Sequence, residues 1–187
     1  MSIFRALLTK YKLVIRFILT FVLVCGVLSV GYKFYLDFSE DSKYYPDYMT
    51  HLVGKQTESV LTGFGYRTSV VPMIEEPSLL VIVNQKSLAR IIEGCNGMSV
   101  VMLFIAFVVA FSDGFKKTFL FVLAGSVLIY TVNLIRVVLL TVGLYHYPWH
   151  SELMHEVIFP LAIYGMVFLL WMYWVNHFSK KVKSSNV

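Results

Sequence analysis

The sequence predicts an all-α integral membrane protein, a bundle of about four transmembrane helices with a small extracytoplasmic loop region that has room for a β-hairpin. Three observations predict it. The chain has 187 residues, is 58% hydrophobic and only 14% charged, and has a mean hydropathy of +0.72. A soluble domain carries about 25% charged residues. Four apolar runs are long enough to cross a bilayer, which takes about 20 residues. The basic residues sit at the ends of those runs and not in one patch. The net charge of +5 therefore reads as a topology signal and not as a nucleic-acid footprint.

The first run is Leu13 to Leu36, flanked by Arg5, Lys10, Lys12 and Arg16. It is too long for the apolar stretch of a signal peptide and has no small-x-small cleavage site. Val22-Leu23-Val24-Cys25 lacks the small residue that precedes the cysteine of a lipoprotein signal. Residues 1–36 are therefore expected to be an uncleaved anchor.

Residues 37–93 follow, with eight acidic and five basic residues, and are expected to face outward. Two short strands around Glu75-Glu76-Pro77 fit the pattern there. Ser87 to Glu93 reads as an amphipathic helix on the membrane surface, with Leu88, Ile91 and Ile92 on one side.

Residues 94–178 are expected to form a three-helix core, with apolar runs Asn96–Ser112, Thr118–Tyr145 and Val157–Phe178. A basic cytoplasmic tail, 179–187, closes the chain. In a four-span arrangement nine basic residues share one side: Arg5, Lys10, Lys12, Arg16, Lys116, Lys117, Lys180, Lys181 and Lys183. That side is cytoplasmic by the positive-inside rule. The loop Tyr145–Glu156 carries no Lys or Arg, so it faces outward. Both termini are then cytoplasmic, in the inner membrane.

This topology brings three reactive side chains to the outer half of the bundle. Cys95 lies in Glu93-Gly94-Cys95-Asn96-Gly97, where the second span begins. Arg136 lies about nine residues, roughly 13 Å, from the outer end of the third. His155 precedes the fourth. A helix start favours a thiolate through its dipole and free amides, and those amides can also hold an oxyanion. Gly94 and Gly97 allow close backbone approach.

An intramembrane arginine costs about 2.5–3.5 kcal/mol on insertion scales and marks function by default. Asn133 is three residues earlier on the same helix face. An imidazole near Cys95 can take its proton and return one to a leaving amine. Glu152 and Glu156 are both placed to orient it, and the sequence does not choose between them.

Blander readings stand beside these. A lone cysteine is usually a small buried hydrophobe, and an interfacial histidine need do no chemistry. Arg136 can simply tie helices together. His146, His150, Glu152 and His155 crowd one loop, but their spacing matches no zinc motif. No metal and no other cofactor is called for. Tyr145, Tyr147, Trp149, Trp171, Tyr173 and Trp174 read as interface belts. Cys25 and Cys95 lie at different depths, so no disulfide is expected.

With these residues placed, the chain resembles the exosortase/archaeosortase family of membrane transpeptidases, most closely its short exosortase F-like branch. The likeness rests on Gly94-Cys95-Asn96-Gly97, Asn133-Leu134-Ile135-Arg136 and His155. It covers roughly residues 90–175. The family often has Ser where this chain has Asn96, and many members have about eight spans.

The resemblance implies a membrane-embedded cysteine protease-transpeptidase with Cys95, Arg136 and His155 catalytic. Asn133, Asn96, Glu152 and Glu156 would bind substrate or support the site. Its partners would be the lipid bilayer, a secreted protein with a carboxy-terminal sorting tail, and an acceptor nucleophile of unknown kind, with no nucleic acid. The competing class is a non-catalytic assembly factor that binds the tail helix without cutting it.

Overall fold

A computed structural model describes residues 11–39, 44–73, 76–112, 114–150 and 157–184. Helix α1, Lys12–Ser39, is 28 residues, or about 42 Å. Val14, Leu19, Val22, Leu23, Val27, Val30 and Phe34 on it are exposed. Such a continuous apolar surface belongs in lipid. The helix packs on α3, Met98–Ala110, where the Phe17 ring lies 4.3 Å from Phe111 and 5.6 Å from Phe107.

Residues 44–92 fold into a cap that the sequence only partly revealed. Helix α2, Tyr48–Gly63, starts at Asp47, whose Oδ1 accepts from the amides of Met49 and Thr50 at 3.0 Å each. This capping satisfies amides that have no partner within the helix. The buried face of α2 is Thr50, Val53, Gly54, Thr57 and Leu61, a helical stripe with only two large apolar residues.

Strands β1 Thr68–Met73, β2 Ser78–Val83 and β3 Lys86–Ile92 form an antiparallel sheet in the order β1-β2-β3. The expected hairpin pairs Met73 with Ser78 across the Glu76-Pro77 turn. The expected surface helix over Ser87–Glu93 is corrected to strand β3. Asn84 and Gln85 adopt positive φ, 48° and 67°, and turn the chain in two residues. Val83 then faces Lys86 and Leu79 faces Ile91. Ile91 is buried while Ile92 is 49% exposed, the alternation of a strand and not the single face of a helix.

The sheet rests on α2 at Gly54, where an added Cβ would lie 2.7 Å from Leu79 Cδ1. Val53, Leu61, Leu79, Val81, Val83 and Ile91 form the cap core together with Val137 and Val138 of α4, Phe115–His146. Helix α4 is 32 residues, about 48 Å long, well over the ~30 Å of a hydrocarbon core. Its last turns carry the cap.

A second core joins α3, α4 and α5, Phe159–Ser184, through Phe104, Val108, Ile129, Val167 and Trp174. Trp174 is buried and stacks on Phe121 at 4.4 Å, and Trp171 stacks on Phe107 at 4.3 Å. Trp174 belongs to this core and Trp171, partly buried, packs against it, a packing role beside the interface belt expected of them. The fold is mostly helical with a small sheet. Val14–Ser39 and Phe115–His146 have the length and hydropathy to cross a membrane, while α3 is a shorter apolar helix of 13 residues.

Candidate active site

The two cores meet at a thin polar layer, and Cys95 lies in it. Cys95 closes a 3-10 turn, Glu93–Cys95, that joins β3 to α3. Asn96 follows, 1% exposed. Its Oδ1 accepts from the Met98 amide at 2.9 Å, which caps α3. Its Nδ2 donates to Tyr32 Oη on α1 at 2.8 Å and to Thr50 Oγ1 on α2 at 3.2 Å. One side chain thus ties α1, α2 and α3 together beside the thiol.

The far side of the turn is held by α4. Asn133 Nδ2 donates to the Cys95 carbonyl at 2.8 Å. Gly97 allows this approach. Its φ is +80°, and an added Cβ would lie 3.0 Å from Asn133 Cγ. Gly94 has no such role, since only Ile92 Cδ1 comes within 4.0 Å of an added Cβ.

Cys95 therefore stands one step off the helix start that the sequence suggested. Asn96 and Gly97 intervene, and Asn96 already occupies the first amide of α3. Cys95 is half-buried and packs on the cap core. Cys25 and Cys95 are both free thiols.

Arg136 lies one turn beyond Asn133 on α4. Its Nε is buried without a hydrogen-bond partner among the described residues, and so is Asn133 Oδ1. A buried donor or acceptor left unpaired costs about 1–3 kcal/mol. Such atoms on the helix that holds the Cys95 turn suit a site that takes a polar ligand.

Helix α5 reaches the same level. Phe121 and Trp174 are stacked, and fifteen residues up each antiparallel helix, about 22 Å, lie Arg136 and Phe159. His155 precedes Phe159 by four residues in the sequence. It lies outside the described residues, as do Glu152 and Glu156. The structure thus joins Cys95, Asn96 and Asn133 and puts Arg136 one turn away.

His146 is engaged elsewhere. Its Nε2 is 3.0 Å from Tyr66 Oη at the top of the cap. Among the described residues, no three His, Cys, Asp or Glu side chains gather as a metal site would require.

Tyr32, Thr50 and Asp47 were missed in the sequence. Asp47 ahead of a helical stripe was a readable capping signal. Tyr32 carried none, because its partner is 64 residues away. Tyr35 extends the network, donating to Asp47 Oδ1 at 3.2 Å and accepting from the Met49 amide at 3.1 Å.

A family model described as "Transmembrane exosortase" matches residues 7–175. The chain belongs to the transmembrane exosortase family. The match takes in α1 and the cap as well as the helical core, well beyond the 90–175 that the motifs alone suggested. Exosortases are membrane transpeptidases of the cysteine type. No curated protein and no solved structure matches the chain.

Proposed function

We propose that this exosortase cleaves the carboxy-terminal sorting tail of secreted proteins at the outer membrane face through a Cys95 thioester. The observation that carries the reading is the Asn133–Cys95 hydrogen bond. It joins the cysteine motif to the Asn133-Leu134-Ile135-Arg136 motif, 38 residues apart in sequence.

Helix lengths support the depth. Sixteen residues separate Arg16 from Tyr32, and sixteen separate Lys117 from Asn133, about 24 Å in each helix. Both spans fit a hydrocarbon core of ~30 Å between a basic inner end and the polar layer. The layer then lies at the outer boundary, and the cap and the last turns of α4 stand above it. Helices α1, α3, α4 and α5 are the four spans, with both termini cytoplasmic. Arg136, one turn above the layer, sits at the boundary.

In the reaction, the Cys95 sulfur attacks the carbonyl carbon of the scissile peptide. His155 takes the thiol proton, and Glu152 or Glu156 orients its ring. Arg136 donates to the oxyanion that forms, with a planar guanidinium suited to that charge. The carbon–nitrogen bond then breaks, the His155 proton goes to the leaving amine, and the tail departs. The thioester passes to water or to an acceptor nucleophile. Asn133 and Asn96 hold the turn that carries the sulfur.

The test uses a secreted protein from the same genome whose tail has a short motif, one apolar helix and a basic end. It is tagged at its carboxy terminus and co-expressed with the enzyme. Loss of tag removal in both Cys95→Ala and His155→Ala, with each variant still present in the membrane, is expected. Tag removal by Cys95→Ala would instead leave a non-catalytic tail-binding factor as the better account.

A further inference from the structure

Strand β3 is the outer edge of its sheet and leads straight into the nucleophile. Among the described residues it pairs with β2 alone, and Ile92 is followed at once by the Glu93–Cys95 turn. Among the described residues, no backbone hydrogen bond reaches its other edge beyond the β2 ladder. Ser87, Arg90 and Ile92 along it are exposed. An edge strand offers a row of N–H and C=O groups that an extended peptide can pair with.

The direction of β3 is fixed by α4. At one end, Lys86 Nζ lies 5.6 Å from the Tyr145 ring centre. At the other, the Cys95 carbonyl meets Asn133, twelve residues or about 18 Å lower on the same helix. Strand β3 spans about 23 Å, so it descends from the cap tip to the polar layer. At its foot are Asn133 Oδ1 and Arg136 Nε, an acceptor and a donor without partners among the described residues. A peptide unit supplies the complement of both, which suits a main chain as the occupant.

We infer that the free edge of β3 binds the segment of the substrate just ahead of the scissile bond as a parallel fourth strand. The inference rests on the proposed tail-cleaving function. A substrate held by its tail helix has its folded part outside and runs downward into the membrane, in the same direction as β3. The pairing delivers the scissile carbonyl to Cys95. It also keeps the acyl half of the substrate on the enzyme after the tail leaves, so the thioester stays in place until an acceptor arrives. Side-chain selectivity would fall on alternate substrate positions, since a strand presents every second residue to one face.

Disulfide mapping tests the inference. The enzyme carries Cys25→Ser and Cys95→Ala with either Arg90→Cys or Ile92→Cys, both on the exposed face of β3. The probe is the tagged tail protein, with single cysteines placed in turn over the segment preceding its apolar helix. Cross-linking at alternate probe positions is expected. The pattern should move two residues toward the tail when Arg90→Cys is replaced by Ile92→Cys.

A move of two residues away from the tail means antiparallel pairing and overturns the inference. So does cross-linking of Arg90→Cys to a second copy of the enzyme without probe, which would make the edge a dimer seam. Absence of cross-links at both positions, with the same probe cleaved normally by the Cys95 enzyme, overturns the strand pairing and leaves the proposed function standing. A probe that is neither cross-linked nor cleaved defeats the proposed function and this inference together.

Discussion

Gly97→Ala is a sharp test of how the Cys95 turn is held. The backbone at this position has φ +80°, which costs an L-residue about 1 kcal/mol or more. The new methyl would also lie 3.0, 3.1 and 3.2 Å from Cγ, Nδ2 and Cβ of Asn133. All three atoms belong to one side chain, so Asn133 must move as a unit. A shift of a few tenths of an ångström strains its 2.8 Å bond to the Cys95 carbonyl, and a buried group left fully unpaired costs about 1–3 kcal/mol. The combined local cost is up to roughly 2–4 kcal/mol, borne by the turn that aims the sulfur. A misplacement of about 1 Å can cost a hundredfold in rate. Tag removal should therefore fall on the order of 100-fold while the protein still accumulates. Gly94→Ala is the matched control, because nothing approaches an added Cβ more closely than Ile92 Cδ1 at 4.0 Å. It should behave as wild type within about 0.5 kcal/mol. Equal activity in the two variants would refute the account of Asn133 and Gly97.

Four more outcomes follow from the geometry. Tyr32→Phe removes the hydroxyl that accepts from Asn96, worth about 1 kcal/mol. It should slow alkylation of Cys95 several-fold yet add nothing in an Asn96→Ala background, which a double-mutant cycle reads directly. Gly125→Ala drives a methyl into the Phe104 ring and should destabilise the bundle by about 1–3 kcal/mol. Thermal melting in detergent measures this, with Gly26→Ala, which has open space, as the neutral control. Arg90→Ala breaks an exposed ion pair to Glu76 at 2.9 Å and should cost less than about 1 kcal/mol in the same melt. Arg136→Lys keeps the charge but loses the planar guanidinium and its Nε, so tag removal should drop sharply with expression unchanged.

The apolar helices were legible because lipid imposes a long, simple pattern. The runs beginning at Leu13 and Thr118 fall within α1 and α4. The cap was harder. The buried face of α2 includes Thr50, Gly54 and Thr57, so its stripe does not look hydrophobic. Thr57 satisfies its hydroxyl inside the helix, on the Val53 carbonyl at 2.8 Å. Strand β3 was misread because Leu88, Ile91 and Ile92 also fit helical spacing, and because Asn84-Gln85 lacks the glycine that usually announces a two-residue turn. The packing of Trp171 and Trp174 was not legible, because sequence position near a helix end cannot show which ring finds a stacking partner.

At the site, Cys95 and Asn133 were named from residue type and spacing, but their hydrogen bond is a tertiary fact. The roles of Tyr32 and Thr50 were hidden for the same reason. An ordinary tyrosine and threonine become part of the site only once α1 and α2 converge on Asn96.

The central claim is that Cys95 forms a covalent acyl-enzyme, and trapping it is the most direct measurement. Membranes holding the enzyme and the amino-terminally tagged tail protein are quenched in acid and separated without reductant. The account predicts a tagged adduct of enzyme plus upstream substrate that hydroxylamine releases. The adduct should persist in Cys25→Ser and vanish in Cys95→Ala. A tail that is cleaved at an unchanged rate by Cys95→Ala, with no such adduct in the Cys95 enzyme, would contradict the account.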